Sequence, residues 1–382
     1  FLADYFPDMG ALATAVFLKG YQWPFDPRKA LDGGSSLIDL LVHEETVGKG
    51  RRVFLDFRRE ADGGGRLAPF ETGLLGPEAR GYLERSGALV RTPIARLARM
   101  NRPAIDLYLA HGIDLRREPL EIAVCAQHNN GGFRGSAWWE TSLRGLFAVG
   151  EVCGTHGVTR PGGSALNAGQ VGSARAALYI ARRRPAEPLG RAAFARAAGP
   201  VVLRKLALAE AMLGRGARAS LSPAACVEEV RARMSACGAV VRRPGEVRAA
   251  LTEARALWLR ARRELGAGSA RELPAAFKAL DLALSHAVFL EAIGEYLDRG
   301  GRSRGSYLVP DPKGRTPHPL LGERWAFSLA ERGDFTDGHI LEVGLDGRGR
   351  IRKAWVPVRP VPEPGGWFET VWRDFREDRI VV

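Results

Sequence analysis

Three runs of residues in this sequence carry chemistry at spacings that suit a single site. They are Ala126-Gln127-His128-Asn129-Asn130-Gly131-Gly132, then Gly145-Leu146-Phe147-Ala148-Val149-Gly150-Glu151, then Thr155-His156-Gly157-Val158-Thr159-Arg160-Pro161-Gly162-Gly163-Ser164-Ala165-Leu166. An apolar run ending in Gly150-Glu151 reads as a strand that leaves a carboxylate at its carboxyl end, where it can accept from the hydroxyls of a ribose or ribitol. Gly162-Gly163 lets the backbone approach a flat or phosphorylated ligand closely. The helix expected from Ala165 and Leu166 onward begins with unpaired N–H groups, which favour a carbonyl or an anion. Arg160 lies between these elements, and a guanidinium is a rigid two-pronged partner for a carboxylate. Together they suit a cofactor plus an acidic substrate. Singly, each has a plainer reading: glycines in tight turns, Glu151 as a surface or capping acid, His156 as a structural histidine. The ordered combination carries the signal.

The elements that must hold these residues follow from the pattern on either side. Pro119 to Ala126 and Gly145 to Gly150 read as buried strands. Leu166 to Ala181 reads as an Ala-rich helix, with Gly169 and Gly172 allowing close packing. Strand, glycine-rich turn and helix in succession predict α/β architecture. Upstream, residues 1–35 look helical, and Leu37–Val42 and Arg52–Phe57 look like the two strands of a hairpin. Residues 75–112 look helical, with Pro93 and Pro103 marking boundaries. Residues 183–188 read as a linker. Helical segments then run from 191 to 300, broken at 214–216, 242–245 and 266–268, with Val247, Leu251, Ala254 and Trp258 at helical spacing. Trp258 and the methionines are expected in the core. Short strands are expected near Ile340–Val343 and Ala354–Val358. Trp138-Trp139 is expected to pack a loop, with a substrate entrance as the alternative.

Composition narrows the class. The 382 residues, 46% of them apolar, suffice for a large core or several smaller ones. Apolar runs look too short for a membrane span, and no signal-peptide pattern is visible. The net charge is +13, yet 49 arginines stand against seven lysines and are spread along the chain. That reads as genomic bias rather than a nucleic-acid patch, so no nucleic-acid partner is expected. Cys125, Cys153, Cys226 and Cys237 show no CxxC or zinc-finger spacing, so free thiols and no metal are expected.

The run GLFAVGEVCGTHGVTRPGGSALNAGQVGSARAA resembles the C-terminal FAD-binding segment of the succinate dehydrogenase/fumarate reductase flavoprotein superfamily, which includes L-aspartate oxidase. There a GLYAAGE strand precedes H-G-x-N-R-L-G-G-N-S-L. In the same order, AQHNNGG resembles the family's A-H-Y-x-x-G-G, VFLDFR its V-Y-L-D-x-R strand, and SRGSY (Ser303 to Tyr307) its S-R-G-A-H run. The resemblance implies that Glu151 contacts FAD and that Ala165 and Leu166 lie against the flavin. Gly131, Gly132, Gly150, Gly162 and Gly163 belong to the same cofactor wall. It implies that Arg160 clamps a substrate carboxylate, assisted by Gln127 or His128, with His156 beside them. Alignment on Gly131-Gly132 places Gln127 opposite the family's histidine and His128 opposite its tyrosine. Thr159 and Pro161 replace Asn and Leu, Ser164-Ala165 replaces Asn-Ser, and Glu151 and Arg160 stand slightly closer together than in the family. The family's T-E-G-x-R-G-E-G and G-x-G-x-x-G segments have no counterpart here and are expected to precede Phe1 in a longer chain.

The implied fold is an α/β FAD-binding (Rossmann-like) segment with an α+β capping domain, a C-terminal helical domain and a small β-rich tail, the N-terminal part missing. The expected divisions are 1–118 (capping, substrate side), 119–182 (FAD-binding), 188–300 (helical) and 301–382 (β-rich). The implied function is FAD-dependent oxidation or reduction of a small carboxylate substrate by hydride transfer, inactive as a fragment. A separate chain that passes electrons is the expected partner. The expected location is cytoplasmic, or at the membrane periphery through that partner. The alternatives are a ketosteroid-dehydrogenase-like flavoenzyme, which would favour Gly-Asn over Gly150-Glu151, an Arg-rich binding module, and a non-catalytic relic.

Overall fold

The computed structural model describes residues 1–22, 24–126, 131–156, 160, 163–183, 189–360 and 367–381, with only the backbone of Trp367. These residues divide into two compact units, Phe1–Gln127 with Ala239–Arg243 and Gly301–Ala330, and His128–Gly238 with Pro244–Gly300 and Glu331–Val382. Residues 301–330 of the expected C-terminal region therefore fall in the first unit, and 331–382 in the second. The four-part division read from the sequence remains a proposal.

The first unit opens with α1 (Met9–Tyr21), capped by Asp8, whose carboxylate accepts from the Ala11 N–H at 2.8 Å. The run expected as the first hairpin strand is instead α2 (Leu37–His43). Leu37, Leu40 and Leu41 stand at i, i+3 and i+4 and are all buried in one core with Met9, Leu83, Trp325 and Phe327. A short apolar run satisfies either period, and here burial on one helical face decides. The helix runs into a π-turn, Glu44–Gly48, that buries both of its glutamates. The Glu44 carboxylate accepts from the Trp325 indole N–H at 3.2 Å and pairs with Arg324; Glu45 pairs with Lys49 at 2.5 Å and Arg51 at 3.1 Å.

Strand β1 (Val53–Leu55) pairs antiparallel with β2 (Leu120–Ile122), in the register Val53↔Ile122, rather than with the preceding segment. Between them lie α3 (Pro77–Arg85) and α4 (Pro93–Ala110). Pro93 opens α4 behind its Thr92 cap, as expected, but Pro103 kinks the helix at Asn101 rather than ending it. Residues 239–243 and 301–330 complete this unit: Leu308 exchanges backbone hydrogen bonds with Val240 and Arg242, and β3 (Pro310–Arg315) bridges Phe327 at both its ends.

The second unit contains α5 (Ser164–Arg183), α6 (Arg191–Arg215), α7 (Pro223–Arg233), α8 (Pro244–Glu264) and α9 (Leu273–Asp298). The breaks fall at the expected glycines and prolines. Cys226, Val230, Leu257, Ala261, Ala276, Ala279 and Ala283 seal the core of α7, α8 and α9, small residues letting the helices approach. Trp258 packs on this core and Met212 lies within it. With its preceding turn, α9 (Ala270–Asp298, mean hydropathy 1.4) is the one helix among the described residues long and apolar enough to cross a membrane. This departs from the expectation of no such stretch. Its alanines close the bundle core, and its buried Glu291 pairs with Arg255. Strands β4 (His339–Leu345) and β5 (Ile351–Pro357) form the expected antiparallel hairpin, and Asp346 organises its turn by accepting from the N–H groups of Arg348 and Arg350. A last helix, α10 (Trp367–Arg376), follows.

The Gly145–Gly150 run forms no strand, which corrects the expected α/β unit. Val149 is extended (φ −110°, ψ 151°), but apart from a single bridge, Glu140↔Phe147, the described residues pair no strand with this run. An extended run without a neighbouring ladder keeps the shape of a strand and lacks its sheet.

Candidate functional site

The site residues that the structure describes sit on a scaffold made mostly of backbone. Residues 150–152 form a single 3₁₀ turn packed on α5, where a Cβ on Gly169 would lie 3.6 Å from the Gly150 Cα. Gly172 meets the side chain of Trp139 so closely that a Cβ there would lie 2.6 Å from the indole ring. Both helical glycines therefore do the close packing expected of them. Trp139 holds a left-handed conformation (φ 62°), and Trp138 stacks on Tyr179 with centroids 5.3 Å apart beneath the Arg175 guanidinium. The tryptophan pair thus packs on α5, as favoured over a substrate entrance.

Gly131 and Gly132 join this scaffold from the other side. Gly132 bridges Cys153, and the Phe133 N–H donates to the Val152 carbonyl at 2.7 Å. A side chain on Gly132 would collide with the Val152 carbonyl and the Gly154 nitrogen, so glycine is required by backbone-to-backbone contact. A Cβ on Gly131 would stand 3.7 Å from the Phe289 ring of α9. Sequence reasoning found the glycines but missed Cys153 as their partner. Its burial raises its thiol pKa, which keeps the thiol protonated beside the glycines.

Gly150 (φ 76°) and Gly163 (φ 78°) behave differently. Each takes a left-handed conformation, and neither has any protein atom within 4 Å of where a Cβ would lie. Their neighbours Val152 and Leu166 are exposed, Leu166 by 74%. The start of α5 therefore presents bare backbone flanked by apolar side chains, a surface suited to a flat, largely apolar group. Glu151 and Arg160 are exposed and His156 is buried at 7%. Ala165 is half-buried at the helix start. Gln127, His128 and Gly162 lie outside the described residues. The structure thus brings Gly131 and Gly132 against 152–154, and Gly150 against α5.

This surface fits the flavin half of FAD and nothing larger. No glycine-rich strand-to-helix turn stands among the described residues to hold a pyrophosphate. A cleft of about 670 Å³ in the first unit, lined by Tyr5, Asp8, Thr14, Ser35 and His318, includes none of the predicted site residues.

No protein-family profile matches the chain. Among curated proteins, the flavoprotein chain of a CoM/CoB fumarate reductase from Methanothermobacter marburgensis is 46% identical over 76 residues, 20% of this chain and 14% of that one. An L-aspartate oxidase of Streptomyces coelicolor is 42% identical over 74 residues, 19% and 13% of the two chains. The matched stretches are thus a small part of these relatives. Among solved structures, the E. coli quinol fumarate reductase FrdA aligns over 93% of this chain and 63% of its own, with TM-score 0.51 and 19% identity. A second quinol-fumarate reductase aligns over 87% and 59%, with TM-score 0.54 and 20% identity. At such identities these structures speak for the fold alone. Together, the similarities support the resemblance to the succinate dehydrogenase/fumarate reductase flavoprotein superfamily that the order of motifs implied.

Proposed function

We propose that this relative of the succinate dehydrogenase/fumarate reductase flavoproteins supplies the flavin-side wall of an FAD-dependent oxidoreductase acting on a small carboxylate substrate. The observation that carries the reading is the bare backbone at Gly150 and Gly163, beside the start of α5 and flanked by Val152 and Leu166. Glu151 would meet the ribityl hydroxyls, and Ala165, Leu166, Gly162, Gly163, Gly131 and Gly132 would line the ring system. FAD, when bound, supplies two-electron (hydride) chemistry. The chain's own task is to orient substrate. Arg160 pairs with a carboxylate and stabilises the negative charge that builds there in the transition state. Gln127 or His128 adds a second polar contact, and His156 supports that cluster from within. A partner that passes electrons, and a cytoplasmic setting or one at the membrane periphery, belong to the same proposal.

Flavin titration tests the wall first. With no cradle for the ADP half, the chain is expected to bind FMN and FAD within about threefold of each other. Absence of binding to either would sink the reading. Dye-coupled fumarate reduction then tests Arg160: the Arg160→Ala variant is expected to keep its flavin affinity and lose at least about 100-fold in turnover. Unchanged turnover would remove Arg160 from the site.

A further inference from the structure

The hairpin of β4 and β5 is too small to stand alone, since two strands without support are only marginally ordered in water. Its two faces show what holds it. Across the pair, Leu341 faces Trp355 and Val343 faces Lys353, so these four side chains share one face, while Glu342, opposite Ala354, points the other way. The first face grips α9. The Lys353 ammonium lies 3.0 Å from the Glu295 carboxylate and 3.7 Å from that of Glu291. The Trp355 indole N–H donates to Glu295 at 3.1 Å, and Phe335 meets the Trp355 ring edge-on.

The opposite face reaches the glycine-rich segment. Two nitrogens of Arg134 stand 3.2 Å from the two oxygens of the Glu342 carboxylate, a two-pronged pairing. Just beyond β5, the Arg359 guanidinium donates to the Gly135 carbonyl. Arg134 and Gly135 directly continue Gly132-Phe133, whose backbone is zipped to Val152 and Cys153. The hairpin therefore links a rigid helix to the backbone immediately after Glu151.

We propose that Arg134, Glu342 and Arg359 are positioning residues for the flavin-side wall, an inference that rests on the function proposed above. They couple α9 through the hairpin to the 131–135 and 150–154 segments, and so set the placement of Gly150 and Glu151. None of the three needs to touch the flavin.

Hydrogen exchange on the flavin-free chain, read at the Phe133 and Cys153 amides, tests the coupling. Glu342→Gln and Arg359→Gln are each expected to speed this exchange by about three- to fivefold, the scale of an exposed pair, while exchange in α8 and α9 stays unchanged. The exchanged pair, Arg134→Glu with Glu342→Arg, is expected to restore most of the protection lost in Glu342→Gln. Flavin affinity, read by quenching of flavin fluorescence, is expected to weaken by about threefold in the single variants and to recover in the exchanged pair. Wild-type exchange rates in both single variants would overturn the proposal. Faster exchange without recovery in the exchanged pair would also overturn it, by reducing Arg134 and Glu342 to separate structural roles. Faster exchange with recovery, in a chain that binds no flavin, would support the clamp and overturn the flavin reading instead.

Discussion

Two regions of the second unit use small residues to opposite ends. In the bundle of α7, α8 and α9, alanines close a core that water does not enter, and the side chains seal it on all sides. In the segment from Gly131 to Arg183, glycines bring backbone against backbone at 132–154 and 150–169, while Phe133, Leu143, Leu146, Val152, Leu166 and Val171 stand exposed. The first region completes itself. The second has one finished side, packed on α5, and one open side of apolar and bare-backbone surface. Soluble chains seldom leave such surface uncovered without a use for it. The contrast assigns stability to the bundle and recognition to the segment.

The sharpest way to break that contrast is to damage the bundle. Leu257 is 1% exposed at its centre. Leu257→Ala is expected to cost about 2–5 kcal/mol of stability, through lost burial and the cavity left behind. Chemical denaturation monitored at Trp258 would measure it. A loss under about 1 kcal/mol would mean that the bundle repacks freely and is no more rigid than the segment beside it.

A second probe is acid. His286, 2% exposed on α9, has no hydrogen-bond partner for either ring nitrogen among the described residues. Burial first, and then the Arg233 charge, push its pKa from 6.5 down to about 4, with Glu229 opposing. The folded state thus favours the neutral ring. That contribution to stability is complete above pH 6.5 and is lost as pH falls from 6.5 towards 4. On linkage grounds the loss is on the order of 1–3 kcal/mol. His286→Leu removes this part of the pH slope, which matters because buried His43 in the first unit, also depressed by burial, titrates in the same direction. Denaturation midpoints at pH 7 and pH 4.5 for both proteins check it. Equal slopes would show that water reaches the bundle interior.

How legible these regions were in the sequence follows from what defines each. Helix ends in the bundle are marked locally, by Gly214-Arg215-Gly216, Pro244 and Gly266-Ala267-Gly268, so α7, α8 and α9 could be read directly. Gly169 and Gly172 likewise announce close packing within one helix. The partner of β1 lies in a strand beginning at Leu120, and nothing near Val53 encodes it; proximity in sequence suggested a hairpin instead. Leu37–Val42 fits either period over six residues, and only the burial of Leu37, Leu40 and Leu41 on one side makes it a helix. The 145–150 run has the composition of a strand, but a strand is a property of a ladder, and the described residues provide none. Of the candidate site, the glycines were visible because their spacing is unusual. The pairing of Gly132 with Cys153, and of Arg134 with Glu342, was not, because each joins residues brought together only by the fold.

The smallest stability effect discriminates best. Leu166 opens the first full turn of α5 and is mostly in solvent. Leu166→Gln is therefore expected to change stability by no more than about 0.5 kcal/mol, since it removes little burial and leaves the helix intact. If Leu166 belongs to a recognition surface, the same change weakens flavin binding by about tenfold, from the lost apolar contact and the polar group placed against the ring. Denaturation and flavin titration of one variant give both numbers. A destabilisation approaching that of Leu257→Ala would mean that the start of α5 is covered in solution and the segment is as closed as the bundle. Unchanged stability with unchanged flavin affinity would leave the open surface intact and move the flavin away from Leu166. Only an unchanged fold with weakened binding keeps both halves of the contrast, because it separates what holds this unit together from what the unit holds.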